Sequence, residues 1–278
     1  MIPHISPSSF STWSKCPEQW RRAYLEGDRR PPGIAARIGG GVHHGAEVNH
    51  KAKLRTGQDE PLDVVTDAAR DHYVRLVRKG VFFPADEVSS AKRQIAEGID
   101  RTVSLARLYH AELAPRITRP VLVEEPVYVR PEGLPVPVMG LIDVADESGW
   151  VPDLKTGARK WSDSNLSQHV PQMVVYRELY RERFGRPPAR MSFEVLVSTQ
   201  TPAHQSVAVD LTEGDWPALL DRFRLMLRMV ETGIFPPAAP GHWVCSPKYC
   251  GYWWSCEFIP PHKKVRPCAP PQGQGGQK

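Results

Sequence analysis

The sequence contains no run of about 18 or more apolar residues, so nothing in it reads as a membrane-spanning helix. Its opening MIPHISPSSF lacks the basic region and apolar stretch of a signal peptide, and a cytoplasmic protein is expected. Cysteine is scarce: five in 278 residues do not suggest a disulfide scaffold, and a reducing compartment would keep them as thiols. There is no Gly-x-x-x-x-Gly-Lys-Ser/Thr loop, which leaves the chain without a recognisable nucleotide motor. A Cys-x-x-x-Cys-x-x-Cys triplet of the kind radical enzymes use is missing, and so is any internal repeat.

What the chain does have is a hydrophobic fraction of 41%, enough for an ordinary core, in a length that suits one large or two small domains. A formal charge of +5 and a pI near 9.0 are compatible with a polyanionic partner, since basic surface attracts phosphates and releases their counterions. Charge alone does not decide this, because many basic proteins bind no nucleic acid.

Local patterns divide the chain into helices, then extended segments, then helices again, which predicts an α/β (α+β) fold with a helical preface. Residues 6–25 read as two short helices, with Ser6 capping the first, Pro7 in its first turn, Pro17 opening the second and Cys16 at the junction. A polar stretch, GDRRPPGIAAR, leads to the glycines 39–41, after which VHHGAEVNHKAKL resumes helical spacing, and helices are predicted near 60–80 and 86–114. VLVEEPVYV, PVPVMGLIDVA and GWVPDL read as the strands of a small sheet, MSFEVLVST and QSVAVDL as later strands. QHVPQMVVYRELYRERF and DWPALLDRFRLMLRMVETG are helical, and the final CAPPQGQGGQK is of disordered composition.

The most informative stretch is Gly140-Leu-Ile-Asp143, a turn, then Asp153-Leu154-Lys155-Thr-Gly157. If 146–149 is a hairpin turn, counting outward brings Asp143 opposite Asp153 or one step off. Asp153 and Lys155, two apart on a strand, share a face while Leu154 points into the core. Two adjacent carboxylates repel unless a cation or proton lies between them, and such oxygen ligands suit Mg²⁺ or Mn²⁺. Lys155 on the same face would orient water or neutralise developing charge. The plainer reading, a hairpin with surface salt bridges, has equal standing on spacing alone.

These elements resemble the PD-(D/E)XK nuclease superfamily, specifically its RecB-like branch, which includes stand-alone CRISPR-associated and phage exonucleases carrying a four-cysteine cluster. Gly140 to Asp143 is similar to the Gly-x-x-Asp element, and residues 153–157 to the Asp-x-Lys-Thr-Gly element. The resemblance implies that Asp143 and Asp153 bind metal and that Lys155 is catalytic. Upstream, Gly39-Gly-Gly-Val-His43-His44-Gly-Ala-Glu47 resembles the family's glycine–histidine–glutamate helix, which makes His43 a metal ligand with His44 as its competitor. Helical spacing puts Glu47 on the face of His43, where it would hold the far ring nitrogen. Gln172 and Tyr176 match the Gln-x-x-x-Tyr element; four residues apart on a helix, they would bond a phosphate or a base edge, or else make an interhelical contact, and Gln168 is a weaker candidate for the same face.

Cys245, Cys250 and Cys256 form a tight set, and Cys16 is a distant fourth; Cys268 falls in the tail and is left out. Four thiolates are what a [4Fe–4S] cluster needs, and the same end-to-end arrangement is found in the cluster-bearing RecB-like nucleases. The spacing is wider than that of a zinc ribbon, though zinc stays open as the alternative. Trp243, Tyr249, Tyr252, Trp253 and Trp254 nearby would shield the group, pack, or stack on bases.

The reading is one nuclease domain over 1–260, a central mixed sheet flanked by helices with its ends clipped by the cluster, and a tail over 261–278. His43, Asp143, Asp153 and the Leu154 carbonyl would hold Mg²⁺ or Mn²⁺, Lys155 would assist the water, and Gln172 with Tyr176 would position the strand. The expected substrate is DNA with a free end, in recombination, repair or phage and CRISPR processing, alongside a helicase or recombination partner. Bacterial or phage origin is inferred from the family, and homo-oligomerisation is left open. A non-catalytic nucleic-acid-binding module is the second class of function. An iron–sulfur redox enzyme is the third.

Overall fold

The computed structural model describes residues 2–264. Cys268 and most of the expected tail lie outside the described residues. Helix α1 (Pro7–Lys15) begins where Ser6 accepts a hydrogen bond from the Ser9 amide, and Cys16 ends it. Cys16 also caps α2 (Pro17–Trp20), its Sγ accepting from the Gln19 amide at 3.4 Å, and the chain continues as a wider turn to Leu25. Trp20 is fully buried and donates from its indole to Ser9 Oγ at 2.8 Å, tying the two helices together.

Helix α3 (Ile34–Thr56) starts before the glycines instead of after them. Glycine inside a helix costs about 1 kcal/mol relative to alanine, and packing explains its use here. A Cβ on Gly39 would stand 2.9 Å from Thr156 Oγ1, on Gly40 2.6 Å from Leu76 Cδ1, and on Gly41 2.8 Å from Thr102 Cγ2. The bare face of α3 thus lets it lie against a strand and two helices at once, α4 (Leu62–Arg78) and α5 (Ala91–Leu108).

The extended region forms more, and smaller, sheets than expected. The segment 121–129 breaks into β1 (Pro120–Leu122) and β2 (Pro126–Val129) at Glu124, whose φ of 48° is left-handed and whose amide bonds the Ile142 carbonyl at 2.9 Å. β2 pairs with β3 (Val138–Leu141), and β1 with β4 (Ala145–Asp146). The 146–149 turn forms, with Asp146 Oδ1 accepting from the Ser148 and Trp150 amides and Gly149 at φ 85°. The strand leaving it does not return as a hairpin ladder.

That strand, β5 (Trp150–Gly157), runs parallel to β6 (Arg190–Val197), which is antiparallel to β7 (Ala203–Ala208). β5 is buried on both faces over its first five residues, the condition of a strand in a sheet covered on both sides rather than of a hairpin arm. The crossover from β5 to β6 is α6 (Asp163–Phe184), opened by Asn165 Oδ1 accepting from the Ser162 amide. Helix α7 (Asp215–Thr232) follows β7.

The mixed sheet separates two apolar cores. Val151, Phe193 and Val195 pack with α1, α6 and α7, while Trp150, Leu154 and Leu196 pack with α3, α4 and α5. Strand alternation therefore sends Asp153 and Lys155 toward α6 and Leu154 toward α3. Among the described residues no helix is long and apolar enough to cross a membrane.

Candidate active site

Gly140 sets the distance between the sheet and α6: a Cβ there would stand 2.7 Å from Leu179 Cδ1 and 3.3 Å from Tyr176 Cε1. With hydrogen in that place, Tyr176 reaches over β3 and its hydroxyl donates to the Leu141 carbonyl at 2.6 Å. Gln172, one turn earlier, donates from Nε2 to Tyr176 Oη at 2.9 Å and to Asp153 Oδ1 at 2.8 Å. Its Oε1 accepts from Lys155 Nζ at 3.0 Å, and the Lys155 ammonium is paired with Asp153 Oδ2. Gln172 and Tyr176 are therefore occupied in aligning the Asp153–Lys155 pair. Tyr176 is buried, so the expected contact with the substrate strand gives way to an internal brace.

Asp153 is fully buried, and its Oδ2 lacks any well-aligned hydrogen-bond donor. Burial pushes its carboxyl up to about 6, against the pull of Lys155, with the Asp143 charge adding to the rise. Asp143 comes from the link between β3 and β4, and its Oδ2 accepts from the Leu154 amide at 3.0 Å. The two carboxylates meet through this side-chain bridge rather than across a hairpin. Burial also raises Asp143.

His43 Nδ1 lies 3.4 Å from Asp143 Oδ2, and the ring bonds the Leu154 backbone. Burial and the nearby Lys155 hold the imidazole at about 4, so it is neutral at pH 7 and able to ligate. Ligand atoms of His43, Asp143 and Glu124 lie within 4.8 Å of one another, the one such group of three among the described residues. Glu124 was missed in the sequence. Burial first, then Asp143 and Glu47, push its carboxyl up to about 7. The available signal was a pair of glutamates interrupting an otherwise apolar strand ahead of Pro126.

Imidazole and carboxylate oxygens crowded in this way fit a hard divalent cation. Asp153 belongs to the same electrostatic cluster but is turned toward Lys155. His44 lies outside it, bonding Glu47 at 3.0 Å and stacking on His72 at 4.2 Å. Glu47 does not hold His43: one oxygen takes His44 and the other takes Lys51 at 2.6 Å, while the His43 ring turns to Asp143 and the Leu154 backbone. It still lines the metal pocket together with His50 and Pro152.

In a separate pocket Cys16, Cys245, Cys250 and Cys256 line one cavity with Tyr252 and Trp253. Cys16 Sγ accepts from the Ala238 amide at 3.3 Å as well as from Gln19, and Cys250 accepts from the Tyr252 backbone. The Tyr252 hydroxyl donates to the Asp28 carbonyl, and Arg22 reaches Ser255 Oγ at 3.3 Å. Tyr252 and Trp253 are buried, whereas Trp243 and Tyr249 are exposed. No three of the four sulfurs lie within 4.8 Å of one another. Four thiolates about 2.3 Å from a zinc ion would all be closer than that.

A family model described as the PD-(D/E)XK nuclease superfamily matches residues 4–257. Among solved structures, the crystal structure of "Putative exonuclease" from Eubacterium rectale aligns over 87% of this chain and 87% of that one, with a TM-score of 0.56 and 12% identity. At that identity the likeness is one of fold. The crystal structure of SSO0001 aligns over 86% of this chain and 89% of that one at 13% identity, but its TM-score of 0.36 carries no weight. A comparison with curated proteins gave no match.

Proposed function

The chain belongs to the PD-(D/E)XK nuclease superfamily, and from that premise we propose that it is a DNA exonuclease of the RecB-like branch, dependent on Mg²⁺ or Mn²⁺. The observation that carries this reading is the buried Asp153–Lys155 pair, aligned by Gln172 and standing beside the His43–Glu124–Asp143 group. His43, Asp143 and Glu124 would hold the cation, with the Leu154 carbonyl and Asp153 at its edge. A divalent ion in such a site supplies Lewis-acid polarisation of the phosphate and activation of water at neutral pH.

The protein's own groups do the rest. Lys155 presents a positive charge where the phosphorane becomes most negative, and it can hydrogen-bond a non-bridging oxygen or the attacking water. Asp153 keeps that ammonium aimed. Gln172, held by Tyr176, holds both members in one geometry, so little reorganisation accompanies charge development. His43 stays neutral and Asp143 is fixed by the Leu154 amide, which keeps the ligand set in place before any cation arrives.

The four-cysteine cavity would hold a [4Fe–4S] cluster, with zinc as the alternative. In support, four thiols from both ends face one cavity, backbone amides already point at Cys16 and Cys250, and the sulfurs are spread too widely for one tetrahedral ion. The group would act as a staple. A bacterial or phage cytoplasm, and a separate helicase or recombination partner, follow from the RecB-like reading alone.

The test is cleavage of end-labelled single- and double-stranded DNA with Mg²⁺ or Mn²⁺, compared with Asp153→Ala. Release of mononucleotides or short fragments from an end, lost in the variant, is expected. Binding without cleavage by the wild-type protein under either metal would return the chain to a non-catalytic module.

A further inference from the structure

A cavity of about 680 Å³ opens on the side of β5 away from the metal pocket, between α1 and α6. Lys155 and Gln172 form one end of it. The metal pocket touches β5 at Pro152 and Leu154, and the larger cavity touches it at Lys155, so the two meet across the catalytic strand. Their chemistries are opposite. Glu47, Glu124 and Asp143 give the first its carboxylates beside the His43 imidazole, while no aspartate or glutamate lines the second.

The wall from α1 carries Ser8, Ser11, Ser14 and Lys15, whose spacing of three and four residues puts them on one helical face while Phe10 and Trp13 turn inward. Arg222 of α7 closes that side, its guanidinium 4.8 Å from the Phe10 ring and 3.3 Å from Ser14 Oγ. Among the described residues neither Lys15 nor Arg222 has a carboxylate within ion-pair distance, although Arg224, on the same helix, is paired with Asp221 at 2.7 Å. Lys15 is partly buried, and that burial lowers its pKa, as expected of an ammonium held without a counter-charge. Across the cavity His169 packs on the Trp161 ring, centroids 4.4 Å apart and planes tilted by 30°, an aromatic wall against which a base can stack.

We infer that this cavity is the channel for a single strand of DNA, whose phosphates are held by Lys15, Arg222 and the α1 serines as it runs to Lys155. The inference rests on the nuclease reading and adds the form of the substrate. Unpaired cations and hydroxyls without any carboxylate match a phosphodiester chain. A duplex presents its phosphates on a convex outside, which meets open basic surface. A concave space of this size instead admits the nucleotides themselves, within the roughly 300–1,000 Å³ of sites that enclose a ligand.

The test measures fluorescence anisotropy of a labelled 20-nucleotide single strand and of its blunt duplex with the full-length protein in magnesium- and manganese-free buffer. The single strand should bind at least about tenfold tighter than the duplex. Lys15→Glu and Arg222→Glu should each weaken it by about tenfold, and losing both contacts should lower the salt slope by about 1.4, from roughly 0.7 per phosphate contact on single strands. Lys15→Arg and Arg222→Lys should keep binding within about twofold, which separates charge from fold, and thermal melting checks each variant. Unchanged binding in both charge reversals, or a preference for the duplex, overturns the channel. A protein that cleaves DNA while its charge reversals bind normally loses the channel and keeps the nuclease reading; one that binds as described and cleaves nothing keeps the channel and loses the nuclease reading.

Discussion

The β5 site and the four-cysteine site hold reactive side chains in opposite ways. Around β5 every group is positioned by protein alone: Asp143 by the Leu154 amide, Asp153 and Lys155 by Gln172, and Gln172 by Tyr176. Around the four cysteines the backbone is a series of turns, and the apolar cluster beneath it consists of Trp253, Cys256 and Ile259 with a few partly buried neighbours. Burial raises Cys245, and pushes Cys250 up to about 11, so both stay protonated thiols at neutral pH in the protein alone. One region is held by its own hydrogen bonds; the other lacks the core to be so.

The comparison breaks most directly at Asp153. Asp153→Ala should lose on the order of a thousandfold in cleavage, about 4 kcal/mol of transition-state stabilisation, with little change in melting temperature. An active variant would remove the proposed centre. Cysteine changes should do the reverse. Cys256→Ser should lower the melting temperature by on the order of 10 °C, taking about 3–5 kcal/mol for a cross-link that closes most of the chain and about 2–4 °C per kcal/mol at this size. The anaerobic wild-type protein should be brown, with broad absorbance near ~400 nm from thiolate-ligated iron. A colourless protein with stoichiometric zinc would leave the staple but change its metal.

A pH titration of metal binding sharpens the contrast. Glu124 and Asp153 have folded values near 7 and 6, above the ordinary carboxylate range. The folded protein therefore holds protons that the unfolded chain releases, and without metal its stability should fall as pH rises from about 4 to about 7. Metal competes with those protons, so the melting-temperature gain from Mn²⁺ should grow with pH and level off above about 7. In Glu124→Gln, affinity should drop by about tenfold to a hundredfold, and the rise should end nearer 6. An unchanged profile would take Glu124 out of the ligand set.

The smaller effects separate neighbours. His43→Ala should weaken Mn²⁺ binding by at least about tenfold, and His44→Ala hardly at all, by calorimetric titration. The opposite order would exchange their roles. Tyr176→Phe removes the bond to the Leu141 carbonyl and one of the two to Gln172 Nε2, and should cost about 1 kcal/mol in denaturant unfolding. A larger loss in turnover than in stability would show that the brace acts chiefly on Lys155.

What the sequence by itself determined is whatever depends on neighbours along the chain. Ser6, Pro7 and Pro17 start their helices as their side chains dictate, and the two-residue period of Asp153 and Lys155 puts both on one face with Leu154 on the other. The family resemblance named His43, whose ring stands 3.4 Å from Asp143, and grouped Cys16 with the three distant cysteines that line one cavity with it. Tertiary structure decided the partners. Glutamine and tyrosine at that spacing can face a substrate or each other, and only the close approach at Gly140 turned them inward. Glu47 had two histidines within reach, and the rotation of α3 against β5 carried one of them away. Glu124 joined the site because the strand breaks there, at a backbone conformation set by its bond to the Ile142 carbonyl, a contact no local pattern encodes.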